Sequence, residues 1–490
     1  MSLSASIKAL QNTMRKDAGI DGDAQRLGQL GWLLFYKIFS DLEQQTEIEN
    51  PNYVSPIPER LQWETWADEQ QAGIGNVPTG DELLNFIEDE LFPSFENQDL
   101  TAFTGMARER AAILQSVFEG MNNYMKNGTL IRQVINRLNN DIDFNQAKTR
   151  HLFGDIYEQL LRDLQASGNS GEFYTPRAVT QFSIEMVDPQ PGEIIFDPAC
   201  GTGGFLTGSF EHVKDKIKTA KELKTLKDNI RGVEKKSLPH VLCVTNMMIH
   251  GIEVPSGIIH GNTLARPLRD YGPKDQVDVI VTNPPFGGTE EDGIENNFPA
   301  EFRTRETALL FLVLLIELLK DGGRAAVVLP DGTLFGEGIE TRVKQRLVEE
   351  CNLHTIIRLP KSVFAPYTSI KTNVLFLTKG EPTKETWYYE HPYPEGYKAY
   401  SKTKPMKLEE FEPEREWWNN RKETEQAWMV PIKDIIASDY DLDINNPNTP
   451  EEKIREPKEI LTEYKEATKE KEKIEQKIIS IIDGALTNET

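Results

Sequence analysis

The chain has 490 residues, of which 38% are hydrophobic and 27% are charged. This length predicts two or three domains rather than one core, and the composition excludes a disordered or membrane-embedded protein. With 78 acidic residues against 55 basic ones the net charge is −23. A protein that grips nucleic acid alone usually has a basic surface, so any role on nucleic acid requires positive charge from elsewhere.

The sequence predicts neither a targeting segment nor a metal site. The N-terminus MSLSASIKAL has no sustained apolar stretch, and the longest apolar run, residues 308–316, is too short to cross a bilayer and predicts a buried core helix. Three cysteines without a CxxC pair are typical of reduced thiols in the cytoplasm. The seven histidines likewise have no metal-ligand spacing, so we expect no metal ion.

Residues 1–147 are predicted to form an all-α N-terminal domain. Segments 27–45 and 124–140 carry apolar residues at helical spacing. Trp32, Phe35, Tyr36 and Phe39 form an aromatic stripe in the first of them. Such a stripe indicates a helix core in preference to a platform on which bases stack.

Residues 148–385 are predicted to form an α/β domain of the Rossmann-like type. Apolar and β-branched runs alternate with helical patterns there, which favours a mostly parallel sheet. The segment 360–372 has no helical pattern, so the last strand is expected to be antiparallel. The lysine-rich stretch 213–227 predicts one helix with a solvated face. Seven strands are predicted, at residues 193–196, 230–234, 257–260, 277–281, 324–329, 354–359 and 373–378.

The remaining chain divides by composition into two parts. Residues 386–450 are rich in Pro, Trp, Tyr and acidic residues, which predicts an extension of the α/β domain, with a loosely packed segment as the alternative. Residues 451–490 alternate Glu and Lys around spaced isoleucines, which predicts an amphipathic C-terminal helix. Two interpretations stay open for this helix: a solvated terminal segment, or a surface that docks on a partner.

A glycine-rich turn follows the first predicted strand, in the sequence DPACGTGGF that begins at Asp197. Strand, glycine turn and helix together let backbone approach a nucleotide-like ligand. The dinucleotide fingerprint fails because Leu206 stands at its third glycine position, and the chain has no Walker A lysine. Gly201, Gly203 and Gly204 therefore fit a ligand without phosphates, such as S-adenosylmethionine, with Asp197 ordering the turn or meeting its ammonium group. A tight chain reversal is the simpler alternative.

Two polar residues end the next predicted strands. Glu234 ends the second, where a carboxylate can accept from both hydroxyls of a ribose. Asn262 follows the third, where its amide could hydrogen-bond an adenine ring edge. An exposed strand-end glutamate is the alternative for Glu234.

The fourth predicted strand runs into the corner Asn283-Pro284-Pro285-Phe286. The prolines stiffen this corner and donate no hydrogen bond. Two acceptors, the Asn283 side chain and the Pro284 carbonyl, can bind both N–H groups of a base amine and free its lone pair to attack a sulfonium methyl. Phe286 can stack on the extruded base. A rigid β-turn is the alternative.

The order of these motifs is the arrangement of amino-directed methyltransferases. Further segments are GEFYTPR (171–177), GGRAAVVLPDGTLF (322–335), LHTIIRLPKSVF (353–364), IKTNVLFLTKG (370–380) and YDLDINNP (440–447). Over nearly its whole length the chain resembles the modification subunit of type I restriction–modification systems.

This resemblance implies an S-adenosylmethionine-dependent methyltransferase that acts on the N6 amine of adenine in DNA. It implies that Thr202, Gly203 and Gly204 line the cofactor turn, that the adjoining Phe205 and Gly201 belong to it, and that Glu234 holds the ribose. It also implies that a segment before the first strand closes over the methionine part, namely Glu172, Phe173, Tyr174, Thr175, Pro176 and Arg177. Related enzymes often have Asp where this chain has Asn262.

The resemblance also implies how an acidic chain reaches duplex DNA. A separate specificity subunit would read the sequence, with two modification subunits to one specificity subunit, and a motor-nuclease subunit is a further possible partner. The C-terminal helix is the candidate docking element. Three alternatives stay open: a self-sufficient DNA adenine methyltransferase, a glutamine methyltransferase acting on protein, and a scaffold that binds cofactor without turnover.

Overall fold

The computed structural model describes residues 3–73, 75–141, 174–448 and 457–487. It divides into two compact units, Met1–Asn446 and Pro447–Thr490. The predicted border near residue 148 lies outside the described residues, as does the beginning of the C-terminal segment at residue 451. The division into segments 1–147, 148–385, 386–450 and 451–490 therefore stays a prediction.

The described part of the N-terminal region, up to residue 141, is helical. Trp32, Phe35, Tyr36 and Phe39 are at most 2% exposed, and the ring of Trp32 meets that of Phe92 edge to face at 5.1 Å. The helix-core interpretation of the aromatic stripe is confirmed. The α-helices of this region are Leu3–Met14, Asp23–Glu49, Trp63–Trp66, Glu69–Ala72, Gly80–Asn85, Phe92–Glu96, Gly105–Phe118 and Gly128–Asp141, and a π-helix spans Phe86–Leu91.

A mixed sheet follows, with the strand order β3-β2-β1-β4-β5-β7-β6-β8-β9. Strands β1 to β5 are parallel neighbours, and β7 runs antiparallel between β5 and β6, as expected of the last predicted strand. The strands are β1 Ile195–Asp197, β2 Ile230–Glu234, β3 Ile258–His260, β4 Val277–Thr282, β5 Leu319–Pro330, β6 Cys351–Leu359, β7 Thr372–Lys379, β8 Glu385–Glu390 and β9 Ala427–Pro431.

The prediction of seven strands is wrong, because the sheet has nine strands within the described residues alone. Within 386–450 the strand β8 pairs parallel with β6, and β9 pairs antiparallel with β8. Thr386, Tyr388 and Trp428 are buried in these strands. The aromatic and acidic composition concealed them, since neither strand shows a clear alternation of apolar and polar residues. Two short helices, Glu412–Trp418 and Ile432–Ala437, accompany them.

Helices cover both faces of the sheet. Side chains of β5 alternate between the two cores, with Ala326 and Val328 in one and Val327 and Leu329 in the other. The first core is continuous with the aromatic core of the N-terminal helices. The helix Arg177–Val187 precedes β1, and the helices between the strands are Gly204–Lys214, Ala220–Asn229, Ser237–Ile249, Thr307–Leu318 and Ile339–Glu350.

Two of these helices test predictions made from the sequence. All residues of Thr307–Leu318 except Glu317 are buried, which confirms the expected core helix. The single lysine-rich helix expected at 213–227 is wrong, because one helix ends at Lys214 and another begins at Ala220. A capping box explains the break: Thr219 Oγ1 accepts from the Glu222 N–H, and the Glu222 carboxylate accepts from the Thr219 N–H at 3.0 Å.

The C-terminal unit contains the helix Pro457–Thr487, which confirms the predicted amphipathic helix. Leu461, Tyr464, Ile474 and Ile478 are 51–70% exposed on it. The helix itself therefore leaves these four apolar side chains unburied.

Candidate active site

The site lies where the strand order reverses. The chain runs outward from β1 through β2 to β3, then returns to the other side of β1 as β4. Open α/β sheets bind ligands at the carboxyl ends of strands beside such a switch point. A hydrogen bond of 2.6 Å from Thr282 Oγ1 to Asp197 Oδ1 joins the ends of β4 and β1 there.

The glycine turn between β1 and the helix Gly204–Lys214 is fixed by internal hydrogen bonds. Asp197 Oδ1 also accepts from the Ala199 N–H at 3.0 Å, so this carboxylate orders the turn. Gly201 has φ 54° and Gly203 has φ 82°, in the left-handed region that favours glycine. A Cβ on Gly203 would lie 2.8 Å from Cys243 Sγ, so the turn packs directly on the helix Ser237–Ile249.

Glu234 at the end of β2 reaches across to this turn. Its carboxylate accepts from the Gly201 N–H at 3.0 Å and from the Lys236 N–H at 2.7 Å. The residue is 8% exposed and lines the same cavity as Gly201. Each carboxylate oxygen accepts more than one hydrogen bond, so Glu234 keeps acceptor capacity toward the cavity.

Asn262 after β3 is held from two sides. Its Oδ1 accepts from the Leu264 N–H at 2.9 Å, and its Nδ2 donates to Glu290 Oε2 at 3.2 Å. Glu290 comes from the loop after β4 and is 9% exposed. No sequence pattern distinguishes Glu290 from the other acidic residues of this loop.

The Asn-Pro-Pro-Phe corner stands at the end of β4. Asn283 Nδ2 donates to Thr175 Oγ1 at 2.9 Å, while Asn283 Oδ1 is buried without a hydrogen-bond partner among the described residues. The ring of Phe286 meets that of Phe364 edge to face at 5.2 Å. Pro284 is buried and Pro285 is exposed. The corner thus holds one oriented amide whose oxygen is unused.

A cavity of about 290 Å³ connects these groups. Of the residues proposed from the sequence, those that line it are Tyr174, Thr175, Asp197, Gly201, Thr202, Gly204, Phe205, Glu234, Asn262, Asn283, Pro285 and Phe286. Pro176, Gly203 and Pro284 adjoin lining residues in the chain, and Arg177 follows two residues after Thr175, but none of the four lines the cavity. Glu172 and Phe173 lie outside the described residues.

The cavity has further lining residues that the sequence did not indicate. Cys200, Lys235, Glu290, Thr307, Phe311 and Tyr367 belong to this set. They come from five separate segments, and only the fold brings them together. A local motif could have drawn attention to Cys200 alone, because it lies inside the glycine turn.

Burial changes the acidity of the two carboxyl groups near the turn. It raises the pKa of Asp197 to about 7, although the hydrogen bonds from Thr282 and Ala199 act in the opposite direction. Burial also raises the pKa of Glu234, again against its backbone hydrogen bonds. The carboxyl groups of Asp197 and Glu234 both favour a cationic or hydroxyl-bearing ligand, because such a ligand can donate hydrogen bonds to their remaining lone pairs.

Comparison with known proteins gives matches along most of the chain. Residues 148–456 match the family N-6 DNA Methylase, and residues 3–138 match the HsdM N-terminal domain. The chain is 59% identical to the type I restriction enzyme EcoEI methylase subunit of Escherichia coli, over 99% of both chains. It is 28% identical to the EcoKI methylase subunit of Escherichia coli K12, over 82% of this chain and 76% of that one.

Solved structures agree with these relatives. A chain from a structure that describes complex assembly and conformational transition of a type I restriction–modification system superposes with a TM-score of 0.78 at 35% identity. That match covers 99% of this chain and 98% of the other. Among the residues that the structure describes, no helix has the length and apolar character needed to span a membrane.

Proposed function

This chain belongs to the methylase subunits of type I restriction enzymes, and from that premise we propose that it methylates the N6 amine of adenine in duplex DNA with S-adenosylmethionine as donor. The family's name supplies the reaction type and the DNA substrate. The cofactor, the site residues and the cytoplasmic location are our own assignments. The cofactor and the site residues are supported by the lining of the cavity and by the chemistry of its residues, and the location by the three cysteines without a CxxC pair.

The residues around the cavity suit S-adenosylmethionine. The left-handed Gly201 and the neighbouring Thr202 and Gly204 leave room for its amino acid part, and Glu234 has acceptor capacity for ribose hydroxyls. Asp197 offers a buried carboxylate near the place for the ammonium group. When bound, this cofactor supplies an electrophilic methyl group on a sulfonium.

The single observation that carries the reaction is the unused oxygen of Asn283. Thr175 fixes the amide through its Nδ2, so the buried Oδ1 is oriented and has no partner within the described residues. A buried acceptor without a donor is costly, and an adenine N6 amine would satisfy it. We assign the second acceptor to the Pro284 carbonyl and the stacking surface for the extruded adenine to Phe286.

A net charge of −23 makes independent DNA binding unfavourable, and we assign most of the DNA contacts to a specificity subunit. In this assembly two methylase subunits join one specificity subunit, and a motor-nuclease subunit can complete the complex. The helix Pro457–Thr487, with its exposed leucine, tyrosine and isoleucines, is our candidate for the docking surface.

Methyl transfer to adenine-containing duplex tests the proposal. Tritium from labelled cofactor should be incorporated when this chain is mixed with its specificity subunit, and not when the chain is alone. Incorporation at a defined site by the chain alone would favour a self-sufficient methyltransferase. Cofactor binding without incorporation in either case would favour a scaffold subunit.

Loss of residues 451–490 should abolish co-purification with the specificity subunit and leave cofactor binding unchanged. A finer version replaces Ile474 and Ile478 by Ser, with Lys473 and Lys477 replaced by Ser as the matched control. All four side chains are exposed, so neither pair should affect folding. Equal co-purification of both double variants would contradict the docking role of the apolar residues.

A further inference from the structure

Glu290 occupies an unusual place for an acidic residue of a surface loop. It follows β4, yet its carboxylate meets residues that follow β2 and β3: Lys235 Nζ and Asn262 Nδ2 each lie 3.2 Å from Oε2. On the other side, Oε1 lies 3.4 Å from the hydroxyl of Thr307, the first residue of the buried helix. The carboxylate therefore belongs to the cavity wall beside Asn262.

The backbone holds Glu290 in this position. Its N–H donates to the Arg305 carbonyl at 3.0 Å, and the Arg305 guanidinium donates back to the Glu290 carbonyl at 2.9 Å. Thr289 and Glu306 form an antiparallel bridge next to this pair. Residues 289–290 are thus joined to residues 305–306, and this pairing orients the Glu290 side chain.

The hydrogen bonds of Asn262 determine what it can offer a ligand. Its oxygen accepts from the Leu264 N–H and its NH2 group points to Glu290, so the amide orientation is set by two partners. The edge of an adenine ring needs an acceptor for its exocyclic amine and a donor for its ring nitrogen. Asn262 in this orientation has a second N–H for the donor role, and Glu290 has free lone pairs for the acceptor role.

We propose that Glu290 accepts a hydrogen bond from the exocyclic amine of the cofactor's adenine and thereby selects an adenine-bearing cofactor. This inference rests on the cofactor assigned under the proposed function. Lys235 balances the charge of the carboxylate from the solvent side, since its ammonium group also contacts Glu291, which is 72% exposed. Glu290 and Asn262 together present the acceptor and the donor that the adenine edge requires.

Binding of two product analogues to the full-length chain tests this selection, with calorimetry as the measurement. S-adenosylhomocysteine carries the amine, and S-inosylhomocysteine carries a carbonyl oxygen in its place. We expect the wild-type chain to bind the inosyl analogue roughly 10- to 100-fold more weakly, because its carbonyl would face a carboxylate. Glu290→Gln should reduce this ratio by about threefold or more, since the amide can turn an N–H toward the carbonyl, while the N1–H of the inosyl base still meets the N–H of Asn262.

Glu291→Gln is the matched control, because it removes a carboxylate that also contacts Lys235 but lies outside the cavity wall. This variant should keep the wild-type ratio. Absence of discrimination by the wild-type chain, or an unchanged ratio in Glu290→Gln, would overturn the role of Glu290. If the wild-type chain bound neither analogue, the assigned cofactor itself would be wrong, and the inference would be refuted with it.

Discussion

The two ends of the cavity differ in how their polar groups are satisfied. At the end lined by residues that follow β2 and β3, the carboxylate of Glu234 accepts from two backbone N–H groups, and that of Glu290, which reaches this end from the loop after β4, is surrounded by three donors. At the end formed after β4, Asn283 Oδ1 is buried and has no partner in the described part of the chain. At the first end the acceptors are already oriented by internal hydrogen bonds and keep capacity for a ligand, whereas at the second the acceptor has no hydrogen bond from the described residues.

This difference corresponds to two tasks. A ligand that must be oriented gains from groups already fixed by internal hydrogen bonds, because few side chains then have to be immobilised on binding. A reacting amine gains from an acceptor that is oriented but unused, because the hydrogen bond is then formed only with the substrate. An unsatisfied buried oxygen costs roughly 1–3 kcal/mol in the free chain, which the amine would offset.

The strongest test of this contrast removes the unused acceptor. Asn283→Ala in the complex with the specificity subunit should lower the rate of methyl transfer about 100- to 1000-fold, the usual cost of losing an oriented polar group at a reacting centre. The affinity for S-adenosylhomocysteine should stay within about threefold, because the cofactor end is fixed by other residues. Tritium incorporation and calorimetry measure the two quantities.

Asn297→Ala is the control for that experiment. Asn297 lies in the same loop after β4, and its Nδ2 donates to the carbonyl oxygens of Leu264 and Ala265 without lining the cavity. Its replacement should change the rate by no more than about twofold. Turnover by Asn283→Ala at the level of this control would refute the assigned role of Asn283.

A substitution in the glycine turn should affect the preformed end instead. Gly203→Ala places a Cβ 2.8 Å from Cys243 Sγ and 3.0 Å from Met247 Cε, at a φ of 82°. Overpacking and left-handed strain together should lower the free energy of unfolding by about 2–4 kcal/mol. Urea unfolding measures this loss, and weaker cofactor binding should accompany it.

Gly204→Ala is the matched change one residue later. The nearest atom to its added Cβ is Thr180 Cγ2 at 3.9 Å, and its φ is not in the left-handed region. Because Gly204 begins a helix, alanine should leave stability unchanged or raise it by up to about 1 kcal/mol. Equal stability of the two variants would show that the turn is not held as tightly as its contacts indicate.

Most of the cofactor end was predictable from the sequence, because its residues lie at the ends of recognisable strands. The strand that ends in Glu234 has the predicted bounds, and the glycines follow the first strand as expected. Local sequence patterns predict which residues lie at strand ends, because the alternation of strand-like and helix-like segments sets where each strand ends. The resemblance to a known family supplied what the patterns left open, namely the choice of adenine and the partner subunit.

The features that could not be predicted from the sequence depend on contacts between distant segments of the chain. Glu290 meets Lys235 and Asn262 only because β3 and β4 lie on opposite sides of β1, which no local pattern encodes. Strands β8 and β9 were missed because their aromatic and acidic residues do not alternate clearly in polarity. The unused oxygen of Asn283 is likewise a property of the folded chain.

Phe286 offers an intermediate test at the reacting end. Its ring lies in a T-shaped arrangement with that of Phe364, and Phe286 also lines the cavity in which we place the base. Phe286→Leu keeps an apolar side chain but removes the aromatic face, and kcat/KM for DNA should fall about tenfold. Phe286→Tyr keeps the face and should retain activity within about threefold. Fluorescence of 2-aminopurine at the target position reports whether the base is still extruded, and equal loss in both variants would contradict stacking.

The smallest expected effect concerns Asp197. Its carboxylate accepts hydrogen bonds from Thr282 at the end of β4 and from Ala199 in the glycine turn. Burial raises its pKa to about 7 in the folded chain, against an ordinary value near 4 in the unfolded chain. The folded state therefore binds more protons than the unfolded state between these values, and the free energy of unfolding falls as the pH rises through this window. Above the folded pKa the loss is complete.

Asp197→Asn keeps the oxygen that accepts both hydrogen bonds and has no charge to titrate. Between pH 6 and pH 8, the wild-type chain should lose about 1 kcal/mol of stability relative to this variant, measured by urea unfolding without cofactor. Parallel stability curves over that range would mean that Asp197 is already ionised at pH 6. The carboxylate would then resemble the satisfied groups at the Glu290 end, and the turn would bind a cationic ligand without first releasing a proton.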